Sequence, residues 1–161
     1  MKKLLFLFSG LLLFALTGCS RTSNQTYEHA LERANAYAAA INNDYREPEK
    51  IYAFLTEEMK AVLSEEAFCA CWEKERTYPY ITPLYLFYPE LTLSEDAMQA
   101  QAVFQQAARI IGMEYTVQLV YENGDYYVDD WHCFADGSYL EKFKNIPYQI
   151  DWYYDIEDVT P

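Results

Sequence analysis

The chain is poor in basic residues, histidine and glycine, and each shortage excludes something. Lys and Arg number 12 against 25 Asp and Glu, a formal net charge of −13 in 161 residues. Such a chain is not expected to hold nucleic acid or an anionic lipid surface by charge. There are 2 histidines, His29 and His132, and no Cys-x-x-Cys or His-x-x-x-His spacing. No metal site is expected, and no cofactor is implied. The 5 glycines are scattered, so no phosphate-binding loop is present. Internal repeats and low-complexity tracts are also missing. Apolar side chains are not scarce. They make up 52% of the chain and aromatics 17%, enough to build a core in spite of the charge.

The N-terminus carries a second pattern. Lys2 and Lys3 precede the apolar stretch Leu4–Leu16, too short for a comfortable membrane span and suited to the h-region of a secretory signal. Leu16-Thr17-Gly18-Cys19 follows directly. This resembles the lipobox of bacterial lipoproteins, whose signal is cut before a cysteine that carries diacylglycerol. The resemblance implies a signal peptide over 1–18, a lipidated Cys19 with a short tether over 19–26, and a protein held on the cell membrane outside the cytoplasm. Loss of Lys2 and Lys3 would take the formal charge from −13 to −15.

Helical spacing of apolar residues runs from Tyr27 to Asn43, and Asn42-Asn43 is a plausible stop. A second helix is expected from Pro48, with Ile51, Phe54 and Leu55. Thr56 before Glu57-Glu58 and Ser64 before Glu65-Glu66 are hydroxyl caps with acids in the first turn. Residues 77–87 are aromatic and β-branched, with prolines that suit an edge strand. Residues 94–112 conflict. Ser94-Glu95-Asp96, Arg109 and Gly112 mark a capped helix, yet Met98, Ala100, Ala102 and Phe104 alternate as in a strand. Residues 113–122 alternate clearly, Asn123-Gly124 is a two-residue hairpin turn, and 125–134 is read as the returning strand. Residues 146–161 form an acidic, aromatic strand or arm.

Two stretches carry a family resemblance. "IYAFLTEEMKAVLSEEAF" is similar to the second and third helices of the NTF2-like (cystatin-like) superfamily, and "GMEYTVQLVYENGDYYVDDW" to its terminal hairpin. The likeness is to NTF2-like domains of small envelope lipoproteins and of penicillin-binding transpeptidases. It implies an α+β domain over 27–145, with N-terminal helices packed in a strongly curved antiparallel sheet that forms a cone. It also implies that 98–108 is a strand. Members include enzymes and non-catalytic binding modules, so the fold alone does not give the function.

Candidate site residues follow from the hairpin. With Asn123-Gly124 as the turn, one face holds Tyr121/Tyr126, Leu119/Val128, Val117/Asp130 and Tyr115/His132. Tyr115, Val117, Leu119, Tyr126 and Val128 are candidate pocket-lining residues. If the register stays ideal, Asp130 and His132 face the interior as an acid–base pair. If a bulge falls at Asp129-Asp130, Trp131 and Cys133 turn inward, and Asp130 and His132 turn out. Burial of Trp131 favours the bulge, and an unpaired buried carboxylate disfavours the dyad.

In "FCACW" (68–72), Cys69 and Cys71 sit on a helix, where residues two apart point about 200° from each other. They cannot clasp one ion together. Cys71 is expected toward the core and Cys69 toward solvent, and a Cys71–Cys133 disulfide is the candidate pairing if Cys133 turns inward. The expected function is that of a membrane-anchored, non-catalytic module for a small-molecule ligand or an envelope protein. Two alternatives remain: an isomerase- or dehydratase-like enzyme using Asp130 and His132, and a scaffold that docks a basic envelope protein through the acidic aromatic C-terminus.

Overall fold

The computed structural model describes residues 24–75, 83, 85–106 and 114–143, with residues 142 and 143 described by backbone alone. Cys19, the leader and the 146–161 arm lie outside these residues, as does most of 77–85.

Helix α1 spans Tyr27–Asn43, and the Thr26 side chain accepts from the His29 N–H to cap it. Ala30, Ala34, Tyr37, Ala38 and Ile41 form its buried stripe, as the helical spacing requires. Three short helices follow: α2 (Pro48–Tyr52), α3 (Glu57–Val62) and α4 (Glu65–Glu75). Helix α2 starts on Pro48 as expected but stops at Tyr52. Phe54 and Leu55 therefore leave the helix, and Leu55 makes a parallel bridge to Val128. The Thr56 hydroxyl caps α3 and the Ser64 hydroxyl caps α4.

Four antiparallel strands form one open sheet in the order β1-β2-β3-β4: Leu86–Leu93, Gln99–Gln106, Glu114–Glu122 and Asp125–Asp129. The protein is thus α+β. The 94–112 conflict resolves in favour of a strand, because Ala100, Ala102 and Phe104 are buried at alternate positions. The helix-cap signals are genuine bonds used otherwise. The Ser94 hydroxyl donates to Asp96 at 2.7 Å and accepts the Gln99 N–H at 3.0 Å, while Asp96 accepts the Met98 N–H at 3.0 Å. Those bonds close the β1–β2 turn, since capping chemistry stabilises any tight turn.

Asn123 and Gly124, with φ of 52° and 91°, make the β3–β4 turn. Tyr121 pairs with Tyr126 and Leu119 with Val128, the predicted register. Helix α1 packs on the sheet, while α4 packs on α2 and on a short helix α5 (His132–Asp136). A 3₁₀ turn, Ser138–Phe143, closes the described chain. Among the described residues, no helix is long and apolar enough to cross a membrane.

Candidate functional site

The returning strand stops short of its expected end. Pairing ceases at Gln118–Asp129, so Val117/Asp130 and Tyr115/His132 are not ladder pairs. Trp131 instead adopts a left-handed conformation (φ 71°, ψ 19°), and the chain turns into α5. Neither the ideal register nor the bulge describes this corner. Asp130 and Trp131 both point inward, and His132 points out.

A bulky residue in this conformation is strained. Its side chain supplies the compensation. Trp131 is 4% exposed. Its ring meets Phe68 at 5.6 Å, Trp72 at 5.2 Å and Phe134 at 4.9 Å between centroids. Such aromatic pairs add stability beyond the area they bury.

Asp130 completes a polar network under that aromatic cluster. Tyr115 donates its hydroxyl hydrogen to Asp130 Oδ2, and the Trp131 backbone N–H donates to Oδ1 at 2.6 Å. The Trp131 indole N–H donates to the Tyr37 hydroxyl at 3.1 Å, and the Tyr37 and Tyr115 hydroxyl oxygens lie 3.4 Å apart. The direction of the chain follows from chemistry. Indole only donates, and a carboxylate only accepts. The Tyr37 oxygen therefore accepts the indole N–H, the Tyr37 hydroxyl donates to Tyr115, and the Tyr115 hydroxyl donates to Asp130. With Asp130 ionised, every hydrogen in the chain has an acceptor.

Electrostatics pull on this arrangement in both directions. Burial raises the Asp130 carboxyl above its ordinary range, while the bonds from Tyr115 and the Trp131 N–H pull it back only partly. Burial, the main cause, also raises the Tyr37 and Tyr115 hydroxyls, and the nearby Asp130 charge adds to it.

The remaining candidates separate. His132 has its side chain 65% exposed and pairs with Asp129 at 3.0 Å, not with Asp130. The Asp130–His132 pair of the alternative, ideal-register reading is therefore not brought together. Val117, Leu119, Tyr126 and Val128 lie within the core cluster, each at most 1% exposed, and Tyr115 packs against it. They stand in one packed cluster with Ala34, Tyr37 and Ile41 of α1 and with Phe68, Trp72 and Trp131. His29 bonds Asp125 at 2.8 Å, beside Arg33 at 3.0 Å from the same oxygen. It fastens α1 to the hairpin.

Cys69, Cys71 and Cys133 are free thiols in this structure, so the candidate Cys71–Cys133 bond is not formed. Cys71 and Cys69 are both half-buried, and the expected core-versus-solvent split does not hold. Helix α2 packs against α4, the helix that carries both cysteines, and burial raises the Cys69 thiol above its ordinary value. Burial pushes the Cys133 thiol up to about 11. Tyr139 is raised to about 12, first by its hydrogen bond with Cys71 and then by burial.

Tyr37 is the residue that sequence reasoning missed. It reads as one apolar position of α1, yet a tyrosine on a buried helical stripe needs a partner for its hydroxyl. That need was the available signal. Its partners lie 78 and 94 positions away, out of reach of local pattern. Comparison with known proteins finds no matching family model, no matching curated protein and no matching solved structure.

Proposed function

We propose that this chain is a lipid-anchored cell-envelope protein whose folded domain is a non-catalytic binding module that works from its outer surface. The observation that carries the domain's role is the position of Trp131. Its ring occupies the interior where an acid–base site would need room, and His132 stands outside it. The carboxylate nearest the interior, Asp130, has each oxygen held by a donor of this chain, Tyr115 and the Trp131 backbone N–H, and its acid–base partner of the alternative reading, His132, pairs with Asp129 instead.

The anchor rests on the Lys2-Lys3, Leu4–Leu16 and Cys19 pattern. Two acyl chains hold a protein firmly, since each buried CH₂ contributes about 0.8 kcal/mol. We read the domain as NTF2-like in its helix order and terminal hairpin. The test is expression of the full chain in bacteria fed labelled palmitate. Label on the wild type, with Cys19→Ala unlabelled and lost from the membrane fraction, is the expected result. Label retained on Cys19→Ala overturns the anchor.

A further inference from the structure

The outward face of the sheet has a composition unlike the rest of this acidic chain. Register fixes its rows. Thr92 pairs with Gln101, and Gln101 with Gln118, so one row crosses three strands. Gln99, Gln105 and Thr116 stand in neighbouring rows, and all six side chains are exposed. Strand spacing sets amides and hydroxyls about 4.8 Å apart across the row and nearly 7 Å apart along each strand. The four glutamine side chains make no hydrogen bond to other described residues. Each offers both donors and an acceptor.

Among the described residues, the ionisable groups of this face stand on its outer strands or at strand ends: Glu90 on β1, Glu114 and Glu122 at the ends of β3, and Asp125 and Asp129 on β4, where Asp129 pairs with Gln118 and closes its row. An antiparallel sheet is ordinarily polar on its solvent side, but in a chain of net charge −13 that polarity would normally be acidic. One corner carries an aromatic lip. Phe87 pairs with Gln105 and so shares the face. The Tyr88 ring packs edge-on against Phe87 at 5.2 Å and is 76% exposed. Tyr88 holds a left-handed conformation (φ 50°) at the bulge between Phe87 and Glu90.

We propose that the amide and hydroxyl face of β1–β3, with Phe87 and Tyr88 at its corner, binds an extended neutral glycan. The charge pattern selects the ligand. Among the described residues β1, β2 and β3 place no Lys or Arg on this face; the cations beside it, Lys60 and Arg33, sit over Tyr127 at the β4 margin, and the acidic groups around the face repel an anionic polymer. The face's apolar side chains away from that corner, Val103, Val120 and Tyr127, are half-buried among the exposed polar ones, which leaves no broad apolar area for a lipid or an apolar helix. Side-chain amides match sugar hydroxyl and acetamido groups as donors and acceptors, and an exposed ring stacks on the apolar face of a sugar. This proposal rests on the reading of the domain as a non-catalytic module acting from its surface.

The test titrates the full-length protein with chitohexaose, a neutral acetamido sugar, by calorimetry, and then examines the sugar by mass spectrometry. Saturable binding is expected, with affinity nearly constant between about 50 and 500 mM salt, because no charge pairing is screened. The double variant Gln101→Ala/Gln118→Ala, and separately Tyr88→Ala, should each weaken binding about tenfold, the loss of one or two contacts. Their unfolding midpoints should not move. Absence of binding, or unchanged binding by the double variant, overturns the glycan face and leaves the non-catalytic reading standing. Self-association of the protein that the double variant abolishes also overturns it, in favour of a second copy as occupant. Binding with conversion of the sugar upholds the face and overturns the non-catalytic reading.

Discussion

Trp131 donates its indole N–H to the hydroxyl of Tyr37, 94 positions earlier, at 3.1 Å. This bond ties the first helix to the corner that ends the sheet. Both partners are buried, so removing one leaves the other unsatisfied, at a cost of about 1–3 kcal/mol. Tyr37→Phe should lower the free energy of unfolding by that amount in denaturant titration. Trp131→Phe should cost at least as much, through lost ring contacts and the lost donor. The double variant should be less destabilised than the two singles added together, because the bond is removed only once. Strict additivity would show that the bond contributes nothing.

The pH dependence of Asp130 has a definite sign. Burial raises the folded carboxyl above its unfolded value. The contribution to stability is therefore fully present below the unfolded carboxylate range and is lost as pH rises through the folded value. The stability of the wild type relative to Asp130→Asn should fall from acid toward neutral pH. Denaturant titrations of both proteins across that range decide the matter. A difference that grows with pH would mean that the Tyr115 and backbone bonds outweigh burial.

Asp125 is the hinge pin between α1 and the hairpin. One oxygen meets His29 Nε2 at 2.8 Å and Arg33 Nε at 3.0 Å, and also accepts the Tyr126 N–H at 2.8 Å. Its side chain is 30% exposed, so solvent moderates the pairing. Asp125→Ala is expected to cost about 1–2 kcal/mol, with the largest loss of amide-exchange protection in the first turns of α1. Equal loss across all elements would argue against a local role.

The thiols offer a chemical readout. Cys133 is raised from an ordinary 9.0 to about 11, which reduces its thiolate at a given pH by roughly a hundredfold. In the native protein it should alkylate far more slowly than in the unfolded chain. Unfolding without reductant should release Cys69, Cys71 and Cys133 as three reactive thiols, matching their free state. Only one reactive thiol would restore the Cys71–Cys133 disulfide.

How much of this was legible in the sequence depends on the range of the forces involved. Helix α1, its Thr26 cap and the Asn123-Gly124 turn are local chemistry and could be read directly. The strand at Gln99–Gln106 carried a conflicting local message, because Ser94 and Asp96 bond backbone in turns as readily as at helix ends. Alternation of Ala100, Ala102 and Phe104 was the better guide, since burial against α1 outweighs a cap of about 1 kcal/mol. The corner at Asp130-Trp131 was not legible. Both sequence expectations assumed that the strand continues and differ only in register. The chain instead leaves the strand, with a left-handed tryptophan no propensity favours, because Tyr37, Tyr115, Phe68 and Trp72 converge there from three other elements.

The two ends of the sheet are finished differently. Strand β4 is covered by backbone: Thr56 N–H donates to the Val128 carbonyl at 3.1 Å, and Val128 N–H to the Phe54 carbonyl at 2.7 Å. Strand β1 carries Pro89 within a register shift beside left-handed Tyr88. A flat unpaired edge strand is a template for pairing with another copy. Occupying one margin and crumpling the other keeps two copies that meet from extending one sheet into the next.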